Sequence, residues 1–212
     1  MKEVLDNIAK ILSVVLYPLF VPTYGIGIFC WAYSLHVEPL NIAWVLVAII
    51  GTFILTCLCP ITSIWIMMKR GLVKDMQIEN AQERFMPYLY SFISFCFWCY
   101  LIISVLHAPL FLSFIAVGAT AAIGIVALTN RYWKISAHLS GFGGLTGGLM
   151  TYCLGIGAIP TWGTLSLWFG VSLILMYARL RLNAHTPAQV CAGWLLGMTC
   201  TFIPYCIYCY AM

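Results

Sequence analysis

Charge is what this sequence has least of. Ten lysines and arginines and six aspartates and glutamates are spread over 212 residues, so 8% of the chain is charged while 63% is hydrophobic. With a mean hydropathy of +1.00, this excludes an ordinary soluble domain, where about a quarter of residues carry charge. Alternating stretches of barrel type are also missing. The apolar runs instead reach about 20 residues, the length needed to cross hydrocarbon as helix. The fold class expected is all-α, a polytopic membrane helical bundle of six to seven transmembrane helices. No linker, low-complexity tract or second-domain signal breaks residues 1–212, so a single transmembrane domain is expected.

Partners for the cysteines are lacking too. Ten cysteines lie in apolar segments, and although Cys96 and Cys99, like Cys206 and Cys209, form C-x-x-C pairs, no histidine or acid accompanies them. They read as small buried apolar side chains, and no metal or other cofactor is expected.

What is present is a series of apolar segments with polar joints. MKEVLDNIAKILSVVLYPLF has the basic start and apolar centre of a signal peptide, but the apolar run continues to Leu35 with no small-residue cleavage pattern, so the segment is expected to be retained. Pro18 and Pro22 suggest an interfacial amphipathic piece leading into a first span over about 20–36, kinked or broken at the proline. Further spans are expected at about 42–68, 87–106, 109–129, from 136 to the GAIP turn, 162–179, and from Pro187 to near the carboxyl terminus. In the fifth, Ser136, Ser140, Gly144 and Gly148 recur every four residues, which suits close approach of a neighbouring backbone.

Seven spans place residues 69–86, 130–138 and 179–187, together with the amino terminus, on one side of the membrane. All ten lysines and arginines fall on that side: Lys2, Lys10, Lys69, Arg70, Lys74, Arg84, Arg131, Lys134, Arg179 and Arg181. The positive-inside rule makes that side cytoplasmic, in a cell (inner) membrane.

Ionisable groups at a membrane boundary are costly unless solvated or paired, so their convergence is a functional hypothesis by default. Arg84, Arg131, Lys134 and Arg179 can surround an anion, and the planar fork of arginine suits phosphate oxygens. Two helix starts add free amides and a favourable dipole. Ser136 reads as the N-cap of the fifth span, with Ala137 and His138 in its first turn, and Thr186 and Pro187 as N-cap and first residue of the seventh, with His185 just outside. Gln189, three residues after Thr186, has the spacing of a capping box. Taken singly, each histidine also reads as a boundary residue and each arginine as a snorkelling one. Taken together, two histidines beside an anion site allow one to attack phosphorus and the other to protonate the departing oxygen.

These residues resemble the type 2 phosphatidic acid phosphatase family of membrane phosphatases. The family's third motif, S-R-x5-H-x3-D, is similar to ARLRLNAHTPAQ, with Arg179 and His185 at the matching spacing and Gln189 in place of the acid. Its second, P-S-G-H, resembles ISAH, with Ser136 and His138. Its first, K-x6-R-P, is poorly kept: Arg84 fits the arginine, position 77 is Gln, and the nearest lysine is Lys74. The resemblance spans residues 74–193 and implies His185 as nucleophile and His138 as general acid. It also implies phosphate binding by Arg84, Arg179, Ser136 and the backbone near Ala137, with Lys74 as the first-motif lysine. An amide at Gln189 can hold a tautomer of His185 but supplies no charge, unless Asp75, Glu79 or Glu83 substitutes.

The expected activity is metal-independent hydrolysis of a lipid phosphate or diphosphate. The alternative is a catalytically silent relative that binds anionic lipid or a phosphorylated partner. Expected partners are a lipid substrate and the bilayer, not nucleic acid. A transporter fits less well, since the ionisable groups gather at one boundary rather than mid-membrane. Members of the family usually carry their sites on the outer or luminal side, whereas the charge count here favours the cytoplasmic one.

Overall fold

The computed structural model describes residues 2–74, 81–157 and 162–212, all in helices, turns and short connections with no strand among them. The first helix, α1 (Lys2–Val15), is amphipathic and lies against α8 (Trp162–Arg181). Its outer face stays apolar, with Val4, Ile8, Ile11 and Val14 exposed, while Ala9 and Ser13 are buried. Arg181 holds it in place, pairing with Asp6 at 2.7 Å and donating to the Lys2 carbonyl oxygen at 3.0 Å.

The turn after α1 leads into α2 (Val21–His36). Pro22 is in the first turn of α2, where the missing N–H would have had no helical partner anyway. Of the expected kink or break, the structure has the break: residues 16–20, with Pro18 among them, separate α1 from α2. Pro22 starts the helix that follows.

Asn41 caps α3 (Ile42–Phe53), its side chain accepting from the Ala43 N–H at 2.8 Å. A π-helical turn (Ile54–Leu58) joins α3 to α4 (Cys59–Lys69) as a single rod, Ile42–Lys69. The wide turn immediately precedes Pro60, whose ring would clash with a carbonyl in an unbroken α-helix. A second π-helical turn (Leu101–Val105) extends α5 (Ala81–Tyr100), and His107, at φ 45°, turns the chain into α6 (Leu110–Thr129). The remaining helices are α7 (Ala137–Gly155), α8 and α9 (Pro187–Ala211).

Among the described residues, four helices are long and apolar enough to cross a membrane: Ile42–Lys69, Glu83–Val105, Leu110–Thr129 and Pro187–Ala211. Their exposed faces carry large apolar side chains such as Leu46, Ile50, Phe97 and Ile207, as expected where lipid replaces water. The cysteines divide: Cys30, Cys57 and Cys153 are buried, whereas Cys59, Cys96, Cys191 and Cys209 are exposed on those faces. They are small apolar side chains in apolar helices, but not uniformly buried ones.

Against α7, α9 packs closest. A β-carbon at Gly143 or Gly147 would collide with the carbonyl oxygen of Trp194 or Met198, and one at Gly197 would collide with that of Ser140. Thr151 donates to the Thr201 carbonyl oxygen at 2.7 Å and Thr201 to that of Gly144 at 3.1 Å. The stripe expected from Ser136 to Gly148 is thus split. Gly148 faces Phe29 of α2 and Ile115 of α6, while the tightest contacts with α9 fall at Gly143 and Gly147.

Candidate functional site

The helix starts at α7 and α9 form as their sequences dictate. Ser136 caps α7, its hydroxyl accepting from the Leu139 N–H at 3.5 Å. Thr186 and Gln189 close a reciprocal capping box at the start of α9. The Gln189 Oε1 accepts from the Thr186 N–H at 3.0 Å, and the Thr186 hydroxyl accepts from the Gln189 N–H at 3.4 Å. Such a cap stabilises a helix by about 1 kcal/mol. The two starts are tied together where the Ser136 N–H donates to the Gln189 carbonyl oxygen at 3.3 Å. Gly193 permits this approach, because a β-carbon there would stand 2.5 Å from the Ser136 carbonyl oxygen.

Beside these starts lies a cavity of about 680 Å³. Its polar end brings together Arg84 from α5, Lys134 and His138 from the α6–α7 joint and first turn of α7, Arg179 from the end of α8, and His185. Lys10 and Tyr17 reach it from α1 and the turn that follows, and no carboxylate is among its described lining residues. The other end is walled by Phe29, Phe95, Trp98, Ile115 and Ile123. The cavity is therefore amphiphilic, cationic at one end and apolar at the other. Apolar pockets with a few convergent polar groups are the usual form of a ligand site.

His138 is buried, with its ring edge-on to Tyr17 at 5.6 Å between centroids. Its Nε2 lies 3.1 Å from the Ser13 carbonyl oxygen. A carbonyl only accepts, so Nε2 carries a hydrogen, and any proton gained or lost belongs to Nδ1. His185 is within electrostatic reach of His138. Burial, and then the charges of Arg179 and Lys134, push His185 down to about 4, which keeps it neutral near pH 7. The Lys134 backbone and the Gln189 amide favour its charged form, with smaller effect. Three cavity side chains carry buried polar atoms with no hydrogen-bond partner among the described residues: Nε of Arg179, Nδ1 of His185, and both amide atoms of Asn130.

Of the residues singled out in the sequence, Arg84, Lys134, Ala137, His138, Arg179 and His185 line the cavity. Ser136 and Gln189 do not line it and act from behind, as caps. Lys74 is exposed and away from it, its backbone N–H donating to the Glu83 carboxylate at 3.0 Å. Glu83 is likewise outside the lining, and Asp75 and Glu79 lie outside the described residues. Arg131 stacks over Phe85 at 4.8 Å instead of facing the cavity. Sequence reasoning passed over Tyr17, Tyr88 and Asn130. Only Asn130 had a signal, as the first residue of the polar run NRYWKISAH.

Comparison with family models, with curated proteins and with solved structures found no match.

Proposed function

We propose that this protein is a membrane-embedded, metal-independent phosphatase that hydrolyses a lipid phosphate or diphosphate through a phosphohistidine intermediate. The observation that carries the reading is one cavity holding Arg84, His138, Arg179 and His185 at its cationic end and apolar walls at the other. The first end suits a phosphate and the second a lipid chain. The motif spacing that resembles the type 2 phosphatidic acid phosphatases supports the same assignment of roles.

In this reading a neutral His185 nitrogen attacks phosphorus as the ester P–O bond breaks, and His138, which must enter the step as an imidazolium, gives its Nδ1 proton to the leaving oxygen. Water then attacks the phosphohistidine, His138 takes back a proton, and inorganic phosphate departs. Arg84, Arg179 and Lys134 balance the charge on the phosphoryl oxygens. The bundle would cross the membrane six to seven times, with α2, α7 and α8 joining the four most apolar helices. The charge count puts the site on the cytoplasmic side.

Purified protein offered phosphatidate, phosphatidylglycerophosphate and polyprenyl diphosphate is expected to release phosphate from at least one. His185→Ala should lower that release by about 10³-fold or more, as loss of a nucleophile does. Release equal to wild type from His185→Ala, or none from any lipid with wild type, overturns the reading.

One observation favours a silent, lipid-binding relative: no described carboxylate lines the cavity to orient His185 and stabilise its charged form. A phosphate trapped covalently on His185 eliminates that alternative.

A further inference from the structure

A helix that no motif names touches the general acid. The contact is made by the last turn of α1, and Pro18 creates it. A proline disfavours helical backbone in the residue before it, so α1 must stop short of Tyr17. It also has no N–H to give. The last regular bond of α1 runs from the Leu16 N–H to the Leu12 carbonyl oxygen at 2.9 Å. The Val14 carbonyl, whose helical donor would have come from position 18, takes the Tyr17 N–H at 3.3 Å instead. The Ser13 carbonyl thereby loses its own helical donor.

Carbonyls at a helix end must find partners elsewhere. Tyr24 of α2 donates to the Val15 carbonyl oxygen at 3.1 Å, and the Nε2–H of His138 donates to that of Ser13, also at 3.1 Å. Ser13 and His138 are 7% and 9% exposed, so water competes little for the bond. A hydrogen bond to one nitrogen of an imidazole decides what the other can do. In the serine hydrolases a buried carboxylate plays that part. Here a main-chain carbonyl does, from 125 residues earlier in the chain. With the Nε2 proton committed to Ser13, Nδ1 is the nitrogen left to give a proton to the leaving oxygen and to take one from water. The bond also fixes the plane of the ring, since turning it would leave the carbonyl bare.

We infer that Ser13 is the positioning residue of the general acid: its main-chain carbonyl, freed by Pro18, orients His138 so that Nδ1 carries the proton that is transferred. This rests on His138 being the general acid of the proposed phosphatase. No motif signals the role, because the group concerned is main chain and its sequence cue is a proline.

The test weakens the carbonyl without changing a side chain. Val14→α-hydroxyvaline turns the Ser13 carbonyl into that of an ester, a poorer acceptor. Leu12→α-hydroxyleucine does the same to the Ile11 carbonyl and is the control. For each protein kcat/KM is measured on phosphatidate, whose leaving oxygen needs a proton, and on para-nitrophenyl phosphate, whose leaving group departs as the anion. His138→Ala should slow phosphatidate by about 10²-fold or more and the aryl phosphate far less. Val14→α-hydroxyvaline should slow phosphatidate by about tenfold, the scale of one weakened hydrogen bond, and the aryl phosphate by less than about twofold. The control should match wild type on both. Equal loss on the two substrates, or a Val14 ester no slower than the control, overturns the inference. Ring nitrogen spectra of protein labelled at histidine, with His138 assigned by its absence from His138→Ala, read the same contact without turnover. In wild type the neutral ring is expected to carry its proton on Nε2, with a proton resonance that moves upfield in Val14→α-hydroxyvaline. A wild-type proton on Nδ1, or no movement, overturns the inference. That tautomer and that movement with no phosphate released from either substrate overturn the phosphatase reading and leave Ser13 as the group that orients His138.

Discussion

The two flanks of α7 are opposites. Toward α9, Gly143 and Gly147 leave no room for a single added carbon. Toward α1, α5 and α6, the same helix borders about 680 Å³ of space lined by His138, Gly141 and Gly144. The closed flank teaches how the open one is held. In a bilayer, helices gain little from hiding apolar surface from each other, so a fixed geometry must come from close backbone contact and interhelical hydrogen bonds. The α7–α9 seam supplies both and anchors the two helix starts that carry His138 and His185 across from each other. The open flank can then remain polar and incompletely packed.

The largest effect is expected from filling the seam. Gly197→Leu forces a branched side chain against the Ser140 carbonyl oxygen and should destabilise by at least about 3 kcal/mol, enough to remove folded protein from detergent extracts. Gly27→Ala is the control, because a β-carbon there meets nothing within 4 Å. It should leave the stability unchanged or raise it by about 1 kcal/mol at most. Equal damage from the two would mean that the seam is not what fixes α7.

On the open flank the effects should be chemical instead. The His185 value, pushed down to about 4 by burial and then by Arg179 and Lys134, has a definite sign. Between about 6.5 and about 4 the unfolded chain binds a proton that the folded one refuses, so stability falls as pH is lowered through that window. The nucleophile stays neutral over the same range, so an acid limb in activity set by His185 should lie below pH 6 rather than near 6.5. Arg179→Ala removes one of the charges responsible and should move that limb upward while the seam, and the melting midpoint near pH 8, change little. An acid limb near 6.5 in wild type would place His185 in contact with water.

The helical class, the four most apolar helices, and the caps at Ser136 and Thr186 were all legible, because length, apolar composition and capping chemistry are local properties. The register of the seam was not. Positions four apart drift about 40° around a helix at each step, so Ser136 and Gly148 cannot share a face and the stripe splits between α9 and α2. His138, Arg179 and His185 were found because motif spacing named them. Asn130 was visible only as one polar residue among several, since nothing local distinguishes a buried amide from one that faces solvent. The path of the chain after α4 was the least legible, with no periodicity to fix it, and that is where Lys74 was assigned to the site.

Lys74 therefore gives the smallest predicted effect and a sharp comparison. It matches the family's first-motif lysine in type but not in spacing, and it is exposed, with its backbone N–H on Glu83. Lys134, which no motif names, lines the cavity and acts on His185. Lys74→Ala should change lipid-phosphate binding by less than about twofold, as expected for an exposed charge. Lys134→Ala should weaken it by about tenfold, the scale of a charge-assisted hydrogen bond. The ratio of the two, measured at one ionic strength, reports which lysine faces the phosphate. The reverse order would mean that the α4–α5 connection, and not the start of α7, completes the cationic end of the cavity.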